Sequence, residues 1–149
     1  MQFYELESKI YRKDIFRIEK KYGVNFPSRY VDHLLKYNGG RCEPDVFSFI
    51  EDNTKEESRI DYFHAIASRD DYDLENCIND LNGEGRITAN LIPIATDPFG
   101  NYILISCRGI DFGSLFFWNH ESEFEASYEP SFLADSLDVF LASLYHQPA

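Results

Sequence analysis

The sequence has few cysteines, few bases and no long apolar run, and each shortage excludes a class of protein. Cys42, Cys77 and Cys107 are the only cysteines among 149 residues. Their number is odd and their spacings match no disulfide framework or zinc pattern, so they read as reduced, mostly buried small hydrophobes. No apolar stretch approaches the roughly 20 residues that span a bilayer. The segment Met1-Gln2-Phe3-Tyr4-Glu5-Leu6-Glu7 lacks a basic region followed by an apolar run, so no secretory signal is visible and a cytoplasmic address is expected. Lys and Arg number 14 against 26 Asp and Glu, a net charge of −12. That charge repels nucleic acid and anionic membrane, leaving a positively charged protein as the natural counterpart. The plainer account is that acidity keeps the chain soluble.

Catalytic signatures are absent as well. His33, His64, His120 and His146 stand in no ligand spacing, and there is no H-E-x-x-H, G-x-S-x-G or G-x-x-x-x-G-K-[ST]. No activating feature surrounds any cysteine, so nothing local supports a Cys–His nucleophile. Asp70-Asp71-Tyr72-Asp73 invites a calcium reading. Counted from Asp71, however, the sixth position is Asn76 and the twelfth Asn82, where an EF-hand loop needs Gly and Glu. Asp97 has no second carboxylate or base fixed beside it, so it reads as a turn-stabilising residue and not a catalytic acid. No enzyme activity, cofactor or metal is expected.

What is present has the length of one domain and a composition that can fill its core: 13 Phe, 10 Tyr and a hydrophobic fraction of 44%. Residues 12–22 show helical spacing, with Ile15, Ile18 and Tyr22 on one face, and Gly23 is placed to end the helix. A short link leads to Pro27, which suits a first helical turn, and a second helix is expected to Tyr37 on the stripe Tyr30, Leu34 and Tyr37. Asn38-Gly39-Gly40 stops it. Residues 46–50 and 60–66 read as strands flanking a polar loop from Glu51 to Arg59 that looks mobile. A third helix is expected over 71–82, with Leu74, Cys77, Ile78 and Leu81 sharing a face. Residues 91–95 and 101–107 read as strands joined by a hairpin turn containing Asp97, Pro98 and Gly100. Leu115-Phe116-Phe117-Trp118 reads as a strand covered on both faces, which puts Trp118 in the core. A last helix is expected from about Phe132 to Tyr145. The order predicts an α+β domain: a mainly antiparallel sheet packed with an N-terminal helical hairpin, a middle helix and a C-terminal helix.

Charge is unevenly placed. Residues 1–41 hold nine bases and five acids (+4), and residues 42–149 hold five bases and 21 acids (−16). The carboxylates fall in three clusters: Glu51, Asp52, Glu56 and Glu57; Asp70, Asp71, Asp73 and Glu75; and Glu121, Glu123, Glu125 and Glu129. Phe124 and Tyr128 interleave the third and could supply apolar anchors. Such a field steers a basic partner. For any single cluster, a solvated face is the plain account; for the second it is a helix N-terminus that favours carboxylates.

Three blocks then resemble a known pattern. Ile15 to Gly40 (I-F-R-I-E-K-K-Y-G-V-N-F-P-S-R-Y-V-D-H-L-L-K-Y-N-G-G) looks like the opening of the SUKH superfamily in its Smi/Knr-like branch. Glu19, Pro27, Tyr30, Leu34, Asn38, Gly39 and Gly40 occupy the motif positions, and Phe26 replaces the usual Leu. Ile92 to Asn101, with Pro93, Asp97 and Gly100, is similar to the branch's strand and Asp-containing turn. Phe99 stands before the single Gly100 where the branch often has two glycines. Leu115 to Glu121, with Trp118, is similar to its aromatic strand with a polar and acidic end. The resemblance spans about residues 12–145. It implies one domain over 1–149 with helices packed around a curved sheet, and no shared catalytic residues. It also implies a role. Bacterial members commonly are immunity proteins that bind and neutralise a toxin, often a nuclease, of polymorphic or contact-dependent systems. Fungal members regulate cell-wall synthesis. The compact length favours the bacterial role, with a basic toxin domain as partner; the alternative is a regulatory interaction scaffold of the fungal kind.

Overall fold

The apolar stripes of the first forty residues fold into the helical hairpin their spacing predicts. The structure, a computed structural model, describes residues 1–68 and 73–148. Helix α1 (Arg12–Tyr22) buries Ile15 and Ile18. Helix α2 (Ser28–Lys36) buries Tyr30, His33 and Leu34, with Pro27 as its N-cap, one position before the first turn. The link between them is pinned by Glu19, whose carboxylate accepts the Phe26 N–H at 2.7 Å.

Asn38-Gly39-Gly40 does more than stop a helix. Asn38 is buried, and its amide donates to the Ser8 and Ile66 carbonyls and accepts the Ile66 N–H. Gly39 and Gly40 both have left-handed φ, 77° and 83°, and a Cβ on Gly39 would sit 2.7 Å from that of Ala65. Only glycine permits this close crossing of two backbone segments.

Strands follow as antiparallel neighbours. β1 (Gln2–Tyr4) pairs with β2 (Arg41–Glu43), and β3 (Val46–Glu51) pairs with β4 (Thr54–Arg59). β5 (Tyr62–Phe63), β6 (Leu91–Thr96), β7 (Tyr102–Ser106), β8 (Leu115–Trp118) and β9 (Ser131–Ala134) form a five-stranded meander in chain order. α3 (Leu74–Leu81) lies between β5 and β6, and α4 (Leu137–Ser143) follows β9. On the inner face, Ile103, Ile105, Leu115 and Phe117 meet the helices and β3, where Phe49 stacks on Phe117 at 4.1 Å between ring centroids. On the outer face a smaller cluster joins Leu91, Leu104 and Trp118 to Leu81 and Ile87. This is an α+β fold built on antiparallel sheets.

Four expectations change. The polar stretch 51–59 is not a loop: β4 occupies most of it, and Asp52 and Asn53, at φ 52° and 63°, make a two-residue hairpin turn. Its side chains are exposed on both faces, so no apolar alternation marks it. Of 60–66 only Tyr62–Phe63 is strand. The expected last helix divides into β9 and the shorter α4, separated by the N-cap Ser136, whose side chain accepts the Val139 N–H. The third helix starts at Leu74, and its expected first residues, 71–72, lie outside the described residues.

His33 gives the fold a pH dependence. It is 8% exposed, packed against Phe3, Tyr37 and Phe63, and its Nε2 has no partner among the described residues. Burial lowers its pKa from 6.5 to about 4, outweighing the opposing pull of Asp138. Above pH 6.5 the imidazole is neutral in both states and costs nothing. Between 6.5 and about 4 the unfolded chain takes up a proton that the folded chain refuses, so stability falls with pH. From pH 7 to 4.5 the loss due to this group is about 2–3 kcal/mol. Urea midpoints of wild type and His33→Leu at both pH values should show the variant losing that much less.

Candidate functional site

The hairpin turn and the segment after β8 bring together two of the three acidic clusters. Asn119 joins them. Its side-chain amide donates to both Glu51 oxygens at 3.0 and 3.2 Å, its Oδ1 accepts the Glu121 N–H, and its N–H donates to the Tyr128 hydroxyl at 2.7 Å. Between hairpin and segment lies an open cleft of ≈ 420 Å³. Glu51, Asp52, Glu125 and Glu129 line it with Tyr128, Ser122, Ala126, Ser127, Pro130, Ser131 and Ile50. None of those four carboxylates forms an ion pair among the described residues. The Tyr128 hydroxyl is pushed up to about 12, first by burial and then by Glu51 and Glu125.

A second polar chain holds the walls in place. Asp97 is 3% exposed and accepts four donors: the Ser58 hydroxyl of β4, the N–H groups of Phe99 and Asn101, and the Asn101 side-chain amide. Asn101 Oδ1 in turn accepts the N–H of His120 at 3.0 Å and lies 2.7 Å from its Nδ1. The turn with Asp97 and Gly100 thus ties the hairpin to the short 3-10 turn His120–Ser122 from which the acidic segment departs.

The remaining expected partner residues divide. Glu121 is exposed outside the cleft lining, and Phe124 is 92% exposed. Glu56 is exposed on β4; Glu57 is bonded by the Tyr145 hydroxyl. Two residues are corrections. Asp73 is buried as the cap of α3, accepting the N–H groups of Glu75 and Ser68. Glu123 retains only 8% side-chain exposure because Arg86 grips both its oxygens. Asp70 and Asp71 lie outside the described residues. Their neighbour Glu75 is spent internally: Arg17 and Lys21 of α1 hold its carboxyl below the usual range. The basic N-terminal charge therefore partly neutralises the α3 cluster and leaves the cleft untouched.

Sequence reasoning did not single out Ile50, Phe132, Asn119, Asn101 or Ser58 as site residues. The Asp52-Asn53 pair, a known turn signal, could have placed Ile50 and Glu51 at a hairpin end.

His64 Nδ1 lies 2.9 Å from the Pro93 carbonyl and its Nε2 3.7 Å from the Cys77 sulfur, but His64 and Cys77 are 1% and 3% exposed. Pro93 sits where the β6–β7 register shifts, a place that suits a residue with no N–H. Burial pushes the Cys42 and Cys107 thiols up to about 12, away from the reactive thiolate. Burial likewise raises Tyr30, whose hydroxyl has no partner among the described residues. Among the described residues no group of three or more His, Cys, Asp or Glu could hold a metal ion, and no helix is long and apolar enough to cross a membrane.

Comparison with known proteins returns the SMI1 / KNR4 family (SUKH-1), whose sequence model matches residues 9–143. The chain is also similar to the "SPbeta prophage-derived uncharacterized protein YokK" of Bacillus subtilis (strain 168). The two are 29% identical over 150 residues, covering 88% of this chain and 72% of the relative.

Proposed function

The chain belongs to the SMI1 / KNR4 family (SUKH-1), and from that premise we propose that it is an immunity protein which binds a basic toxin domain and blocks its substrate groove. The observation that carries this reading is the cleft, in which Glu51, Asp52, Glu125 and Glu129 converge, none of them held in an ion pair among the described residues. Converging carboxylates attract and orient a cationic surface, and can stand where the phosphates of a nuclease substrate would otherwise sit. The deep burial of the His64–Cys77 pair and the raised Cys42 and Cys107 thiols support action by occlusion without turnover. The prophage-derived relative supports a role tied to a mobile genetic element.

The test is growth. A toxin should be encoded beside this gene; cells expressing it should survive when the protein is co-expressed, and the purified toxin should co-elute with it as a stable complex. A neighbouring toxin that still kills, with no complex formed, would reject the immunity reading.

A further inference from the structure

The acidic cleft has an apolar neighbour. Ile50 lines both the cleft and an open groove of ≈ 490 Å³ formed by Ser48, Phe49, Lys55 and Phe132. Ile50 is 65% and Phe132 56% exposed, although each stands on a strand. Elsewhere on the outer face of the five-stranded sheet, Leu104 and Trp118 are covered by Leu81 and Ile87. At the β9 margin the Phe132 ring packs T-shaped against Phe116, at 6.0 Å between centroids, and still keeps more than half of its surface in solvent. The charges around this strip are one-sided. Lys55, directly across the ladder from Ile50, lines the groove, while the four carboxylates all lie in the cleft beyond Ile50.

We propose that the Ile50–Phe132 groove is the anchor point for the partner: it receives one aliphatic or aromatic side chain from a basic protein segment whose Lys or Arg residues lie on the cleft side of that anchor. The inference rests on the reading of the cleft as the partner-binding site. Charge complementarity selects the occupant. A segment with bases beside its apolar residue satisfies Glu51, Asp52, Glu125 and Glu129 while its apolar side chain covers Ile50 and Phe132. An acidic segment would be repelled by the cleft, and a neutral apolar one would leave the carboxylates unmatched. The two parts then do different work: carboxylates govern encounter and salt dependence, and the apolar anchor governs how long the complex lasts.

A seven-residue probe, Arg-Lys-Arg-Leu-Ser-Asn-Ser, and its Leu→Ser counterpart test this by NMR titration of the labelled full chain. The leucine peptide should shift the amides of residues 50–52 and 122–132 and bind about fivefold tighter than the serine peptide. Ile50→Ser with Phe132→Ser should erase that preference while the salt dependence of both peptides persists; an unchanged thermal midpoint confirms the variant is folded. Replacing the four cleft carboxylates by amides should weaken both peptides equally. Equal binding of the two peptides to the native protein, or leucine-dependent shifts mapping elsewhere, would overturn the inference. The outcome separates from that of the growth test. A toxin that binds while the peptides show no leucine preference sinks the anchor alone. A leucine preference at this groove with no toxin bound sinks the immunity reading alone.

Discussion

Glu51→Gln, Asp52→Asn, Glu125→Gln and Glu129→Gln, combined, should slow association with the proposed basic toxin domain about 10- to 100-fold at low salt and leave the dissociation rate nearly unchanged. The substitutions keep every shape and, through the Gln carbonyl, an acceptor for Asn119 at position 51. They remove four charges that face one cleft. Converging charges of one sign at a concave surface raise encounter rates by about 10- to 1000-fold, and the gain collapses as ionic strength rises. Stopped-flow association at two salt concentrations reads the effect: the wild-type rate should fall steeply with salt and the variant rate hardly at all. The same four-charge change at Glu7, Asp32, Asp80 and Glu84, none of which lines the cleft, lowers net charge equally and should slow association far less. Equal slowing would mean that net charge, and no local site, steers the partner.

Asp97→Ala should be among the most destabilising single substitutions outside the apolar core, at about 3–5 kcal/mol. The carboxylate accepts four donors at 2.7 to 2.9 Å from β4 and the β6–β7 turn, and three of these belong to Asn101 and Phe99 in that turn. Removing it leaves buried N–H groups unpaired and frees Ser58, the tether of the hairpin. For a domain of this size the melting temperature should drop by roughly 6–20 °C. Asp97→Asn keeps the size but must turn one N–H toward a donor, so it should recover only part of the loss. The same variants should broaden NMR signals from residues 50–53 and 119–123, because Asn101 also carries His120. Loss of stability without change at the cleft walls would restrict Asp97 to its own turn.

Elements that bury a one-sided helical stripe or a continuous apolar run were legible: α1 with Ile15 and Ile18, α2 with Tyr30 and Leu34, and the runs of β6, β7 and the aromatic β8. β4 was not, because Thr-Lys-Glu-Glu-Ser-Arg meets water on both faces and only its pairing with β3 makes it a strand. β9 was hidden for the opposite reason. Leu133, Leu137, Phe140, Leu141 and Leu144 keep helical spacing straight across the break at Ser136, so periodicity alone could not divide strand from helix. The same two strands explain what was missed at the site. Cluster composition pointed to Glu51, Asp52, Glu125 and Glu129, and it equally pointed to Asp73 and Glu123. Asp73 is taken up locally as the cap of α3, by the N–H groups of Glu75 and Ser68, whereas the partner of Glu123, Arg86, is distant in sequence and has no local signature. Ile50 and Phe132 lie 82 positions apart in sequence, and only the placement of β3 beside β9 makes them one surface.

Hydrogen exchange on a complex with the proposed toxin domain is the most direct trial of the account. Protection gained on binding should centre on residues 48–55 and 119–132, the hairpin end and the acidic segment, with α1 unchanged. Protection confined to α1 and α2, or absent altogether from the cleft, would contradict it.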